Sequence, residues 1–242
     1  MIIHNVNQGS PEWLQVRKAT ITWSRVKALK TMPLDDAKIK KIDWKSNKTR
    51  APGYVTLMNE MMAEDLAPLT EWFKNDAMER GNIFEPLARE EYEKVTWQKV
   101  VEIGFCIHDT RKYLGLSPDG FIETNFTLED PKDESTRIPI YWKSIEIKCP
   151  GPKNHIKIIN SNKIPEEYEP QLIHNFLVCE TLEEMDFISY NPDMYLPHLR
   201  IHIINVKRED YEKEINETLV KLDVFSEVWK ENILELTNKV WT

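Results

Sequence analysis

The segment Ser144–Pro150, SIEIKCP, sets Glu146 and Lys148 two residues apart, interleaved with Ile145 and Ile147. In an extended strand, side chains i and i+2 share a face, so the acid and the base lie together and the isoleucines lie opposite. Upstream, LGLSPDGFI carries the turn signature Ser117-Pro118-Asp119-Gly120,. A turn aspartate leading one strand, followed by Glu-x-Lys on a later one, brings two carboxylates and an ammonium to one end of a sheet. Hard Mg²⁺ takes oxygen ligands and keeps several waters, so two carboxylates plus a substrate phosphate suffice to hold it. Two such ions about 4 Å apart stabilise the attacking and leaving oxygens of phosphodiester cleavage. The backbone carbonyl of Ile147 adds a ligand. Lys148 orients and helps to deprotonate the attacking water, or stabilises charge developing on the phosphate. Taken singly, the same residues form a salt-bridged edge strand and a hairpin turn; their pairing is what points to chemistry.

The elements that must position these groups follow from periodicity and punctuation. Ser10-Pro11-Glu12 reads as a helix start, with Trp13, Leu14 and Val16 inward, and a second short helix begins near Thr22,. Helices are expected over 54–66 and roughly 71–95, where Phe73, Ala77, Phe84, Leu87 and Ala88 recur at near-helical spacing,. Gly81 interrupts the longer one at a cost of about 1 kcal/mol and marks either a close approach or a harmless defect. Strands are expected at 100–107, 113–116, 119–123, 138–142 and 144–148, then at 186–190 and 198–206. Between them, residues 153–161 read as helical and Pro165 opens a helix through Cys179; an amphipathic helix over about 209–236 closes the chain,. The pattern describes an α/β fold, a mixed β-sheet core flanked by helices.

Length and composition bound the function. The 242 residues are enough for one domain with a large core, the expected division being a helical part over about 10–98 and a strand-helix addition from about 195 to 242,. No apolar run approaches a membrane span, and MIIHNVNQGSPEW lacks the order of a signal peptide, so the expected address is cytoplasmic,. Cys106, Cys149 and Cys179 are too widely spaced for a disulfide framework or a zinc or iron–sulfur signature and read as small buried hydrophobes,. The net charge of −8 argues against a nucleic-acid partner until its distribution is read,. Residues 38–50, KIKKIDWKSNKTR, hold six bases against one acid, whereas EDPKDE at 129–134 is an acidic loop,.

SPDG followed by IEIKCP resembles the PD-(D/E)xK nuclease superfamily. The flanking motifs resemble its phage lambda-type (YqaJ-like) viral recombination exonucleases, over about residues 9–190. GSPEWLQVRKATITWSRV is similar to the family's opening motif, AMERGNIFEPLAREEYE to its Gly-x-x-x-Glu helix, and YEPQLIHNFLV to the helix whose glutamine lies beside the active site. The resemblance implies a restriction-endonuclease-like core and a Mg²⁺ site of two ions, Mn²⁺ substituting, held by Asp119, Glu146 and the Ile147 carbonyl with Lys148 serving the water. It assigns Glu85 to metal-bound water or the second ion, Gln171 to an active-site hydrogen bond, and Arg17 and Ser24 to the terminal 5′-phosphate, for which a guanidinium is suited. Without it, Glu85 reads as a surface helix acid, Arg17 as a surface arginine and Ser24 as a helix-start residue.

The activity implied is 5′-to-3′ exonuclease degradation of one strand of linear double-stranded DNA, for recombination by single-strand annealing. The implied partners are DNA ends, a single-strand annealing protein and, as a ring-shaped trimer, further copies of the chain; the cytoplasm would be that of an infected cell. The 38–50 run is the local candidate for a DNA channel or rim. The sequence departs from the family in the wide Asp119–Glu146 separation, filled by an insertion near 124–139 that reads as a long hairpin or a loop. It also has Ile173 where relatives carry a second glutamine. The rival readings are a restriction-like or repair endonuclease with the same metal site and an inactive DNA-binding module. The missing cysteine set disfavours an iron–sulfur nuclease.

Overall fold

The computed structural model describes residues 1–29, 32, 52–67, 76–130 and 133–238. The basic run at 38–50 lies outside them. The central sheet has five strands in the order β10-β9-β8-β5-β2: β2 is Val100–Val101, β5 Gly120–Ile122, β8 Lys143–Lys148, β9 Glu184–Tyr190 and β10 Ile201–Lys207. Only β8 and β9 run parallel. That geometry requires a crossover, which two helices supply: α5 (Pro152–Ser161) and α6 (Glu169–Val178). β8 is therefore a central strand, and the edge-strand reading of SIEIKCP does not hold.

Both faces of the sheet are covered. Toward one, Ile145 and Ile147 of β8 pack with Ile122 and Ile188 against Ala88 and Tyr92 of α4 (Asp76–Thr96). Toward the other, Phe121 and Phe187 join Leu172 and Phe176 of α6. This larger core also takes in Tyr54 and Met58 of α3 (Pro52–Leu66) and Leu222 and Phe225 of α7 (Glu212–Thr237). The alternation along β8 thus sorts as expected, but its polar face is as deeply covered as its apolar one.

A smaller sheet, ordered β1-β3-β4, joins Ile2–His4, Phe105–Ile107 and Gly115–Leu116. The single strand expected over 100–107 is accordingly two strands in two sheets. Gly104 marks the break: a Cβ there would lie 1.7 Å from the carbonyl oxygen of Val6, so only glycine lets the N-terminal segment cross this close,. The segment delivers the chain to α1 (Pro11–Arg17), which starts with Pro11 in its first turn and Ser10 Oγ accepting from the Trp13 N–H at 3.2 Å,. α2 is Trp23–Val26, with Thr22 at its N-cap.

Other expectations need adjusting. The insertion is a hairpin, β6 (Thr127–Asp130) paired with β7 (Asp133–Pro139). The strand expected at 138–142 thus ends at Pro139 and belongs outside the core sheet. The helix expected from Pro165 begins at Glu169, because Pro170 fits only a first helical turn and residues 165–168 make the turn before it,. Cys106 and Cys179 are buried, while Cys149 is half-buried. Among the described residues no helix is long and apolar enough to cross a membrane.

Gly104→Ala must push the Val6 segment away, and overpacking of this kind costs about 2 kcal/mol. The expected result is a lower urea midpoint at unchanged slope. A midpoint equal to the parent's would show that residues 5–8 are not held against β3.

Candidate active site

The site begins where the β5–β8 ladder ends. Gly120 pairs with Ile145 and Phe121 with Ser144. One residue further, the Asp119 side chain replaces the backbone: its Oδ2 accepts from the Ile147 N–H at 2.7 Å. Asp119 is thereby fixed beside Glu146. The turn before it is braced by Trp13 Nε1, which donates to Ser117 Oγ at 3.0 Å, and by Gln8 Nε2, which donates to the Pro118 carbonyl at 3.2 Å.

Glu146 is 1% exposed. Its Oε1 is ion-paired with Lys148 Nζ, and its Oε2 accepts from Asn175 Nδ2 at 3.3 Å. Burial, then the nearby Asp119, pushes the Glu146 carboxyl up to about 8, against the pull of Lys148. Burial works in the opposite sense on Lys148, but Glu146 and Asp119 outweigh it and hold the ammonium above its ordinary value. Lys148 also sits 5.6 Å from the centre of the Tyr168 ring. Gln171, on α6 one turn before Asn175, is buried, and its Oε1 finds no donor; nor does Asn175 Oδ1.

Glu85 comes from α4, three residues before the Ala88 that packs on the isoleucines, and reaches the end of the sheet. It lines a cleft of about 500 Å³ with Asp119, Pro118, Arg89 and the N-terminal Asn5, Asn7 and Gln8. Burial, then Asp119, raises its carboxyl to about 7. Gly81 has a local reason: a Cβ there would meet Glu85 Oε1 at 3.0 Å, so the glycine gives that carboxylate room. Arg89 ties the rim together, donating to the Asp119 carbonyl at 3.2 Å and pairing with Glu102 at 2.7 Å.

Arg17 and Ser24 form a second group. Arg17 Nη2 donates to Thr22 Oγ1 at 3.4 Å, and Thr22 Oγ1 lies 3.3 Å from Ser24 Oγ. The guanidinium lies 4.7 Å from the centre of the Trp13 ring. Burial, then Arg25, lowers its pKa. Arg25 is neutralised by Glu64, whereas Arg17 has no ion pair among the described residues. Ser117 joins the two groups, since it bonds Trp13 and precedes Asp119 by two residues.

The structure therefore gathers Asp119, Ile147, Glu146 and Lys148 in direct contact, with Glu85 across the cleft and Gln171 behind. Arg17 and Ser24 stand apart, linked through Trp13. Asn175 was not singled out from the sequence, and Ser117 entered only as a turn residue. Asn175 stands one helical turn beyond Gln171, a spacing that would have put it on the same face.

Among the described residues no three His, Cys, Asp or Glu side chains gather to enclose an ion. A hydrated hard cation does not need them: two carboxylates, a backbone carbonyl and waters are a sufficient set. Two observations fit that group. The Glu146 and Glu85 carboxyls are raised by burial first and by the nearby Asp119 second, both of which a cation offsets, and the buried oxygens of Gln171 and Asn175 lack donors that water could supply.

The fold is that of known exonucleases. It matches an alkaline exonuclease from Laribacter hongkongensis with a TM-score of 0.69 at 25% identity, covering 94% of this chain and 96% of the other. A structure of that enzyme in complex with dAMP matches with the same TM-score and coverage at 26% identity. A phage-related exonuclease from Haemophilus somnus 129PT shares the fold at 13% identity and a TM-score of 0.53, over 90% of this chain and 96% of the other. No curated protein sequence matches. The model of the YqaJ-like viral recombinase domain matches residues 12–181, and the chain belongs to that family. It is a nuclease of the exonuclease class.

His174, between Gln171 and Asn175 on α6, is fully buried, with Nε2 donating to the Gly115 carbonyl at 2.8 Å. Burial lowers its pKa to about 4. The native state therefore refuses a proton that the unfolded chain accepts below about pH 6.5. Its stabilising effect is complete above that pH and is lost as the pH falls toward 4, an effect on the order of 3 kcal/mol. Urea titrations at pH 7 and 4.5 should show this loss, and His174→Gln should flatten it. An equally steep loss in the variant would assign the effect to other groups.

Proposed function

We propose that this chain is a Mg²⁺-dependent exonuclease, Mn²⁺ substituting, that degrades one strand of linear double-stranded DNA from its 5′ end in recombination by single-strand annealing. The observation that carries this reading is the Glu146–Lys148 pair of the central strand, the acid buried and the base half-buried, with the backbone between them tied to Asp119, which lines a cleft. Such an arrangement is costly for stability alone, because buried charges need full compensation, and the adjoining Asp119 lines the cleft that a substrate phosphate would enter.

Asp119, Glu146 and the Ile147 carbonyl would hold the cation, with Glu85 facing it across the cleft. When bound, the ion supplies Lewis-acid polarisation of the phosphate and a more acidic water. Asp119 is oriented for its part by the Ile147 N–H. Lys148 Nζ, held as an ammonium by Glu146 Oε1, donates toward the attacking water or toward charge developing on a phosphate oxygen. Arg17, which has no ion pair among the described residues and lies beside the hydroxyls of Thr22 and Ser24, would grip the terminal 5′-phosphate,. The dAMP-bound relative supports a site for deoxynucleoside monophosphates, the product class such a reaction releases. A homotrimer and a single-strand annealing protein are the partners that this reading implies.

The test compares 5′-phosphorylated linear duplex, 5′-hydroxyl duplex and closed circular DNA, each with Mg²⁺ or with EDTA. Mg²⁺-dependent loss of linear DNA alone, fastest with the phosphate, is expected; nicking of the circle would make the enzyme an endonuclease. Lys148→Ala should lower kcat about 10²- to 10⁴-fold, and a variant within a few-fold of the parent would remove Lys148 from the chemistry.

Arg17→Ala should leave hydrolysis of 5′-hydroxyl ends nearly unchanged. The advantage of phosphorylated ends should shrink about 10- to 100-fold, as expected for losing a charge-assisted hydrogen bond. An undiminished phosphate preference would place the end pocket elsewhere.

A further inference from the structure

We propose that Asn175 is a positioning residue for the metal-holding carboxylate Glu146. This rests on the reading of Asp119 and Glu146 as metal ligands. Glu146 is cut off from solvent, so the protein must satisfy both its oxygens,. Lys148 takes Oε1, and Asn175 Nδ2 reaches Oε2 at 3.3 Å. The same Nδ2 donates to the Gln171 carbonyl at 3.1 Å, which locks the amide in place.

The orientation of that amide follows from its partners. A carboxylate and a carbonyl both accept, so the atom facing them must be the NH₂ group, whose two hydrogens serve one each. Asn175 Oδ1 is consequently turned away from both. It is buried without a donor, and so is Gln171 Oε1 one turn earlier on the same helix,. An asparagine retained only for packing would find a backbone donor for its oxygen, because buried polar atoms are normally satisfied. Asn175 is held instead through its NH₂ group, which braces the carboxylate while its own oxygen goes unmatched, as suits an outer partner that orients a metal ligand,. Neutrality matters as well: an acid at this position would repel Glu146, and an apolar residue would leave Oε2 bare.

The experiment titrates the whole protein with Mn²⁺ by calorimetry, without DNA, for the parent, Asn175→Ala and Asn175→Leu. The leucine keeps the buried volume should the alanine variant fail to fold. Expected is a Mn²⁺ dissociation constant raised about tenfold or more, at unchanged stoichiometry. In parallel, kcat at saturating metal should fall while KM for DNA ends stays within about twofold. Mn²⁺ affinity within twofold of the parent would overturn the proposal. So would a loss of binding stoichiometry at unchanged affinity, which marks a purely structural residue. Failure of the parent itself to bind Mn²⁺ would instead overturn the metal reading of Asp119 and Glu146, and this inference with it.

Discussion

A carboxylate that is 1% exposed, in the middle strand of a five-stranded sheet, is the constraint around which this molecule is arranged. An isolated buried charge is ruinous, and a buried ion pair is tolerated only when the remaining lone pairs and protons are also met. Glu146 obtains an ammonium two residues along its own strand and an amide from α6. Each demand propagates outward. α6 must lie flat on the sheet, and it carries Gln171, His174 and Asn175 at buried positions where a helix of this depth would otherwise be apolar. The parallel β8–β9 pair follows from the same demand, because the crossover between those strands is what lays α6 across Glu146.

The opposite face shows what the strand would be without that demand. Ile145 and Ile147 meet Ala88 and Tyr92 in ordinary apolar packing. That packing fixes α4, and α4 in turn carries Glu85 beyond the strand ends into the cleft. One alternating hexapeptide therefore sets both sides of the site: its isoleucines place the helix that brings the distant carboxylate, and its charged residues are the near ones. Asp119 enters through a third route, by completing the hydrogen-bond ladder that β5 leaves unfinished. The carboxylates are held by three unlike mechanisms, and none of the three depends on a flexible loop.

What was legible in the sequence divides along the same lines. The two-residue period of SIEIKCP and the turn residues of SPDG are local signals, and they correctly implied which side chains share a face. Whether that strand is central or at an edge depends on β9, which is 35 or more residues further on, and no local pattern carries it. The break at Gly104 depends on Val6, nearly a hundred residues earlier in the chain. Pro165 is an ordinary helix opener in isolation, and only Pro170 five residues later makes Glu169 the true start. Asn175 escaped notice because asparagine on an apolar helix face has no motif of its own; its meaning lies entirely in the carboxylate across from it. Arg17 and Ser24 were singled out by resemblance to a family, since neither residue type nor spacing distinguishes them from surface residues.

The acidity of the chain, a net charge of −8, sharpens the question of how such a surface could hold a polyanion. Among the described residues several positive charges are spent internally: Arg25 on Glu64, Arg89 on Glu102, Arg111 on Asp223, Lys143 on Asp186. Arg17 differs from these. Among the described residues its direct neighbours are the Trp13 ring and a hydroxyl, neither of which cancels its charge, and Arg25 adds to the local positive field while Glu64 offsets part of it. A guanidinium without a direct ion pair that is partly desolvated gains more from an incoming phosphate than an exposed one, because water competes less for it. On the proposed function, discrimination for a phosphorylated end then needs no general basic surface. It needs one such arginine held at a fixed separation from the carboxylates, and the Trp13–Ser117 bond two residues before Asp119 provides that ruler.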